Sequence, residues 1–363
     1  MLFQFRSKRL AYLAGSLALT LVVSACAGGN QGTNGGAESP AAGGTEGGNL
    51  SGSIAVDGSS TVFPVSEAMA EEFMAANSGV QVTVGSSGTG GGFEKFCRGE
   101  TQVSNASRPI EQDEAQACQD AGIEFVELPI AQDALTIVVN PQNDWAECLT
   151  VEELSTMWAP DAQGTISRWN QVNPEFPDQP LTLYGPGTDS GTFDYFTDEI
   201  NGEEGASRGD YTASEDDNVI VQGVSNDPNA LGYFGFAYYE ENQDALKAVQ
   251  IDGGEGCVAP SAETVLDSTY TPLSRPLFIY ISQNAIEERP EVQAFAEFYL
   301  SQDNASLVEE VGYIPLSDEL YQAALARVQN DVTGSVFGAG ATDYSLADFA
   351  EQGAGGGASP SPQ

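Results

Sequence analysis

The chain alternates short apolar runs with longer stretches in which apolar residues recur every three or four positions. The runs "GSIAVDGS", "VQVTVGSS", "ALTIVVN" and "PLFIYIS" predict strands. The stretches "FPVSEAMAEEFMAAN" and "EVQAFAEFYLSQ" predict amphipathic helices. This order predicts an α/β fold built on an open, parallel-rich sheet with helices on both faces.

The strand–helix pattern occurs twice along the chain, and a final strand and helix return to the first set. We therefore predict two α/β lobes, with residues 51–135 and 275–340 in lobe 1 and residues 136–274 in lobe 2. The chain would cross between the lobes near 129–139 and again near 271–281, which makes a two-segment hinge. A ligand is expected in the cleft between the lobes.

The N-terminus has the pattern of an export signal. Three basic residues precede an apolar stretch at 10–23, which ends in "LVVSAC". That ending resembles a bacterial lipobox, so we predict a signal peptide at 1–25 and lipidation of Cys26. The Gly-rich segment 26–50 predicts a flexible tether, and the composition of 341–363 predicts a disordered tail.

Composition narrows the classes of function. The 363 residues include 12 Lys and Arg against 53 Asp and Glu, for a formal net charge of -41. So few basic residues argue against binding nucleic acid and against docking on anionic lipid. The chain has no His, which excludes His-based catalysis and His-ligated metals. We expect no enzymatic activity, no metal and no cofactor.

Four cysteines lie beyond Cys26, and an exported protein would keep them oxidised. Four cysteines allow three pairings. We favour Cys97 with Cys118, which are close in sequence and flank one short segment, and Cys148 with Cys257. Free buried thiols are the alternative.

Three predicted strand-to-helix junctions are rich in hydroxyl groups and glycines. Helix N-termini carry unpaired amides and a partial positive charge, so three of them converging on one cleft would hold a small oxyanion. Each junction by itself fits an ordinary N-cap equally well. The junctions contain Ser59, Ser60 and Thr61; Ser86, Ser87 and Gly88; and Ser190, Gly191 and Thr192.

Four segments, in order and spacing, resemble the periplasmic phosphate-binding protein of the high-affinity Pst phosphate ABC transporter. They are "DGSSTVFPVSEAMAEEF", "GSSGTGGGFEKFCRGETQVSNASRPI", "DSGTFDYF" and "VGYIPLS". The resemblance covers most of 51–330. It implies a type II periplasmic-binding-protein fold with phosphate held between two lobes, mostly by neutral donors.

The resemblance also implies the ligand-binding positions, which fall on the three junctions. Carried over residue by residue, they are Ser60, Thr61, Ser86, Ser190, Gly191 and Thr192, with Ser59 and Ser87 as neighbouring candidates.

Two charged positions depart from the family pattern. Arg108 stands where the family has the Asp that accepts a proton from phosphate, and Pro186 stands where it has an Arg. We therefore predict that Arg108 pairs with the ligand, with a surface role as the alternative. The proton acceptor stays open among four candidates, which are Asp57, Asp189, Asp216 and Asp217.

The resulting expectation is a lipid-anchored monomer on the extracytoplasmic face that captures inorganic phosphate and delivers it to an ABC transporter permease. Three alternatives stay open. They are a receptor for another tetrahedral oxyanion such as sulfate, a phosphohydrolase with a Ser or Asp nucleophile, and a sensor or adhesion lipoprotein on the same fold.

Overall fold

The computed structural model describes residues 50–341 and 346–353. The expected signal peptide, the lipidation at Cys26, nearly all of the tether and the end of the C-terminal tail lie outside the described residues. Within the described part of the chain, no helix combines the length and the apolar character that crossing a membrane requires.

Thirteen strands occur in the described residues, most of them short. They are Gly52–Gly58 (β1), Val80–Val84 (β2), Val103–Ala106 (β3), Phe125–Val139 (β4), Cys148–Thr150 (β5), Thr182–Gly185 (β6), Thr212–Ala213 (β7), Ala230–Gly235 (β8), Lys247–Ala248 (β9), Gln250–Asp252 (β10), Cys257–Val258 (β11), Ser274–Ser282 (β12) and Ile314–Pro315 (β13).

The same residues contain fourteen α-helices. They are Phe63–Ala76 (α1), Thr89–Cys97 (α2), Gln112–Ala121 (α3), Val151–Trp158 (α4), Trp169–Val172 (α5), Gly191–Asn201 (α6), Asp217–Asn226 (α7), Phe236–Glu241 (α8), Ala262–Leu266 (α9), Gln283–Glu288 (α10), Pro290–Tyr299 (α11), Ala305–Glu310 (α12), Asp318–Gln329 (α13) and Leu346–Gly353 (α14).

The main sheet is parallel at its two ends and antiparallel in the middle. Its strand order is β2-β1-β3-β12-β4-β8-β6-β7. β1 pairs in parallel with β2 and β3, and β6 does so with β7 and β8. β12 and β4 run antiparallel to each other and to their outer neighbours. The predicted α/β class is confirmed. The expected parallel pairing holds only for the outer strands of the sheet.

Two large hydrophobic cores lie along this sheet. The first core gathers side chains of β1, α1, α11 and α13, and the second gathers those of α4, α6 and β8. β4 contributes to both, because Val126, Leu128, Ile130 and Ala131 belong to the first core and Ala134, Leu135, Ile137 and Val139 to the second. All of β4 is buried, which explains the largely apolar run "ALTIVV" at its end. We call β4 and β12 the connecting strands; the predicted lobe boundaries stay a prediction.

Both favoured cysteine pairings are present. Cys97–Cys118 joins α2 to α3, and Cys148–Cys257 joins β5 to β11. The second disulfide closes the longer loop, of 109 residues, so it should restrict the unfolded chain more strongly.

The prediction of a disordered tail from residue 341 is wrong for Leu346–Gly353. These residues form α14, which packs on α13. Leu346 and Phe349 stand three positions apart and are buried in the first core. The surrounding glycines obscured this short amphipathic element in the sequence.

Candidate functional site

The first loop follows β1 and leads into α1. Gly58 is required here, because its φ is +141° and a Cβ would lie 2.2 Å from the backbone oxygen of Asn105. Ser59 and Thr61 are buried, and Ser60 is exposed. The loop therefore presents hydroxyl groups at the end of the strand.

Thr61 is held from two directions. Its carbonyl oxygen accepts a hydrogen bond of 2.8 Å from the Tyr313 hydroxyl. Its own Oγ1 accepts one of 3.2 Å from Arg275 Nη2. Because Thr61 Oγ1 is an acceptor in this contact, the hydroxyl proton remains for a further acceptor such as an oxyanion.

The second predicted loop contains Ser86 and Ser87, and Ser87 contacts Asp57 at the end of β1. Ser87 Oγ donates to Asp57 Oδ1 at 2.6 Å, and Lys95 Nζ donates to Asp57 Oδ2 at 2.5 Å. Burial alone would raise the pKa of Asp57, but these two donors hold it below its ordinary value. Ser86 and Ser87 are exposed. Asp57 thus has two partners, and it does not line the small cavity between the three loops.

Two further hydroxyl residues, Thr89 and Ser107, lie at the wall of the small cavity between the loops. Their hydroxyl oxygens are 3.2 Å apart, and the Ser107 amide donates to Thr89 Oγ1 at 3.3 Å. Thr89 is the first residue of α2, whose leading amides have no partner within the helix. No local pattern in the sequence pairs these two residues, because they lie 18 positions apart on different elements.

The third loop begins α6. Ser190 is its N-cap, and Ser190 Oγ accepts a hydrogen bond of 3.2 Å from the Thr192 amide. Gly191 lies against the first loop, since a Cβ on it would be 3.1 Å from Thr61 Oγ1. The N-terminus of α6 therefore meets Thr61 directly, which brings two of the three predicted loops together.

A small cavity of about 70 Å³ lies between these elements, and we call it the inner cleft. One wall comes from elements of the first core, with Ser59, Ser60, Thr61, Gly88, Thr89 and Ser107. The opposite wall comes from α6 and the loop after it, with Asp194, Tyr195, Asp198 and Glu204; Arg275 completes the lining. A larger outer cleft of about 590 Å³ shares several of these residues and adds Ser87 and Arg108.

Arg108 does not line the inner cleft. Its guanidinium donates to both carboxylate oxygens of Glu114, at 2.8 and 2.9 Å, and Nε lies 3.2 Å from Glu111. Two carboxylates on its own loop and helix thus balance its charge. These contacts hold the Arg108 side chain toward α3 and away from the inner cleft.

The other predicted acceptors also lie elsewhere. Asp189 is exposed, and its amide donates to Glu215. Asp216 caps α7 by accepting from the Asn218 amide. Burial raises the pKa of Asp217, and the negative charges of Asp216 and Glu215 raise it further, to about 6. The carboxylates that line the inner cleft are Asp194, Asp198 and Glu204.

Asp194 lies in the inner cleft beside Glu204 and Arg275. Burial raises the pKa of its carboxyl group, the neighbouring Glu204 raises it further, and Arg275 opposes both effects. A carboxylate with a raised proton affinity suits an acceptor of a ligand's O–H group.

Arg275 lines the inner cleft and is not among the residues predicted from the sequence. It is the second residue of β12, and its Nε donates to Asp133 Oδ2 at 3.2 Å. Its Cζ lies 3.6 Å from the centre of the Tyr195 ring. The available signal was a charged residue in each of two otherwise apolar connecting segments, "AQDALTIVV" and "SRPLFIYIS".

The fold defines the class, a two-lobe α/β binding protein, and its inner cleft is small and lined by hydroxyl groups, three carboxylates and one arginine. The family model described as the PBP superfamily domain matches residues 39–303. The chain belongs to this superfamily and, within it, to the PstS-type family.

Individual relatives agree with this assignment. Protein SphX of Synechocystis sp. is 53% identical over 79% of this chain and 85% of the relative. The phosphate-binding protein PstS of Staphylococcus saprophyticus is 37% identical over 88% of this chain and 93% of the relative. A solved structure of a possible phosphate binding protein from Planctomyces limnophilus is 50% identical, covers 77% of this chain and 99% of its own, and superposes with a TM-score of 0.74.

Proposed function

We propose that the protein captures inorganic phosphate in the inner cleft and delivers it to the permease of an ABC transporter. The observation that carries this proposal is the meeting of hydroxyl-bearing loops and one arginine in a cavity of about 70 Å³. The names of the relatives support phosphate as the anion.

The proposed ligand set comprises the residues of the first loop, Thr89 and Ser107, together with the leading amides of α2. Neutral donors suit an anion in a protein of strongly negative charge, because they act at short range while distant surface charges are screened beyond about 8 Å at physiological salt. Ser190, Gly191 and Thr192 remain predicted ligands, supported by the contact of Gly191 with Thr61.

The proposed proton acceptor is Asp194. A carboxylate that accepts a hydrogen bond from the phosphate O–H would repel sulfate, which has no proton to donate near neutral pH. This replaces the four acceptor candidates drawn from the sequence.

Binding without catalysis fits a chain with no His. We further propose that the protein is a monomer on the extracytoplasmic face, anchored to the membrane through lipidated Cys26. They rest on the lipobox-like "LVVSAC" and on the family.

Isothermal titration calorimetry tests the function. The purified full chain, stripped of bound ligand by unfolding and refolding with its disulfides intact, is titrated with phosphate and then with sulfate. We expect one-to-one binding of phosphate and none of sulfate. Absence of phosphate binding by correctly refolded protein would overturn the proposal, and equal binding of sulfate would assign the site to tetrahedral oxyanions in general.

A further inference from the structure

We propose that Arg275 is the cation that binds the phosphate, and that Asp133 opposite it weakens this binding. The inference rests on the proposed function and adds to it a charged centre on the connecting strands, outside the three loops. Neither residue belongs to the positions that the family resemblance supplies.

The register of the sheet creates the pair. Arg275 on β12 stands directly opposite Asp133 on β4 in the antiparallel ladder. The two side chains lie on the same face and meet at 3.2 Å. Only 15% of the Arg275 side chain and 6% of the Asp133 side chain are exposed. The pair is therefore shielded from solvent, where charge interactions are strong.

Arg275 reaches both walls of the inner cleft. It donates to Thr61 on one side and lies over the Tyr195 ring on the other, and the Tyr195 hydroxyl is fixed by Pro272 O at 2.7 Å. The bonds to Asp133 and Thr61 occupy two of the five N–H groups of a guanidinium. Three N–H groups remain for a ligand in the inner cleft.

No other basic residue of the described chain occupies a comparable position. Among the basic side chains of residues 50–341 and 346–353, Arg275 alone lines the inner cleft. Arg108 borders the outer cleft, where Glu111 and Glu114 already balance it.

The charges around the inner cleft make this cation necessary. Asp194, Asp198 and Glu204 all line it. Asp194 is the proposed partner of the phosphate O–H group, and Asp198 and Glu204 would repel an anion. Asp133 faces Arg275 from behind and cancels part of its attraction. Removing the charge of Asp133 should therefore strengthen phosphate binding, whereas removing the charge of Arg275 should weaken it.

The test uses four variants of the full chain: Arg275→Gln, Asp133→Asn, the two combined, and Arg108→Gln as the matched control. Inorganic phosphate is titrated by calorimetry, and thermal unfolding of each variant reports its stability. We expect Arg275→Gln to bind about 100-fold more weakly, since it loses a charge-assisted contact. We expect Asp133→Asn to bind about 3- to 10-fold more tightly and Arg108→Gln to stay within about 3-fold of the parent.

The double variant separates ligand binding from a purely structural role. Arg275→Gln alone leaves Asp133 buried without its cation and is expected to melt at a lower temperature. The double variant should recover the melting temperature but not phosphate binding. Recovery of both would show that Arg275 only neutralises Asp133, and it would overturn the inference.

The remaining outcomes are also decisive. Weaker binding by Asp133→Asn in a folded protein would contradict the opposing role given to Asp133. If the parent protein binds phosphate and Arg275→Gln binds it equally well, this inference falls and the proposed function stands. If the parent protein itself does not bind phosphate, both fall.

Discussion

The two arginines near the cleft differ mainly in where their ion-pair partners lie in the sequence. Arg108 has two, Glu111 and Glu114, both within six positions of it in the sequence. Arg275 has Asp133, on a strand 142 positions away. Local carboxylates hold Arg108 to its own segment, whereas the register of β12 and β4 brings Arg275 to the inner cleft, where we propose that it meets the ligand.

The largest effect on phosphate binding is expected when the hydroxyl group that Arg275 contacts is removed. Thr61→Val keeps the shape of the residue but loses the acceptor for Arg275 and the donor for the ligand. We expect phosphate binding to weaken by about 30- to 100-fold, measured by calorimetry. Thr83→Val, on an exposed position of β2, is the control and should bind as the parent does. Unchanged binding by Thr61→Val would remove the first loop from the site.

The next prediction concerns the acid that we pair with the ligand's proton. Asp194→Asn should weaken phosphate binding about 10-fold and allow sulfate to bind measurably, because repulsion of sulfate is lost. Competition of sulfate against labelled phosphate measures the ratio. Asp189→Asn, which alters an exposed candidate outside the inner cleft, should leave that ratio unchanged. A variant at Asp194 that still rejects sulfate would move the acceptor role to Asp198 or Glu204.

A change beside Arg108 should lower the stability of the fold and leave phosphate affinity nearly unchanged. Glu114→Gln weakens the bidentate contact with Arg108 and the capping box of α3, to which the Glu111 amide contributes. We expect the free energy of unfolding to fall by about 1–2 kcal/mol in urea titrations. Phosphate affinity should change by less than about 3-fold. A large loss of affinity at unchanged stability would return Arg108 to the ligand site.

The smallest effect is expected at Asp217, a sequence candidate that lies outside the inner cleft. Its pKa is raised to about 6, so the folded chain binds its proton more tightly than the unfolded chain does. Its ionisation therefore costs stability as the pH rises from about 4 to about 6, and the cost persists above that range. Asp217→Asn should stabilise the fold by about 1 kcal/mol at pH 7.5 and have little effect at pH 4. Urea unfolding at the two pH values measures this, and equal effects at both would contradict the raised pKa.

Local patterns were enough to predict the elements around the site. The apolar runs located β1, β12 and the second half of β4, and the hydroxyl-rich junction at Ser190 marked the N-cap of α6. The two disulfide pairings also followed from spacing and compartment. The short helix α14 did not, because its two buried residues gain their helical order from packing on the first core.

The sequence by itself determined the α/β class, the positions of the main strands and helices, and the hydroxyl-rich character of the junctions, because these depend on neighbours a few residues apart. Only the tertiary structure decided which polar groups meet. Thr89 faces Ser107, and Arg275 meets Asp133 and Thr61, through strand register and helix packing that join distant segments. Side-chain pairing across a sheet depends on which strands lie side by side and in which register, and no local pattern of residues specifies that.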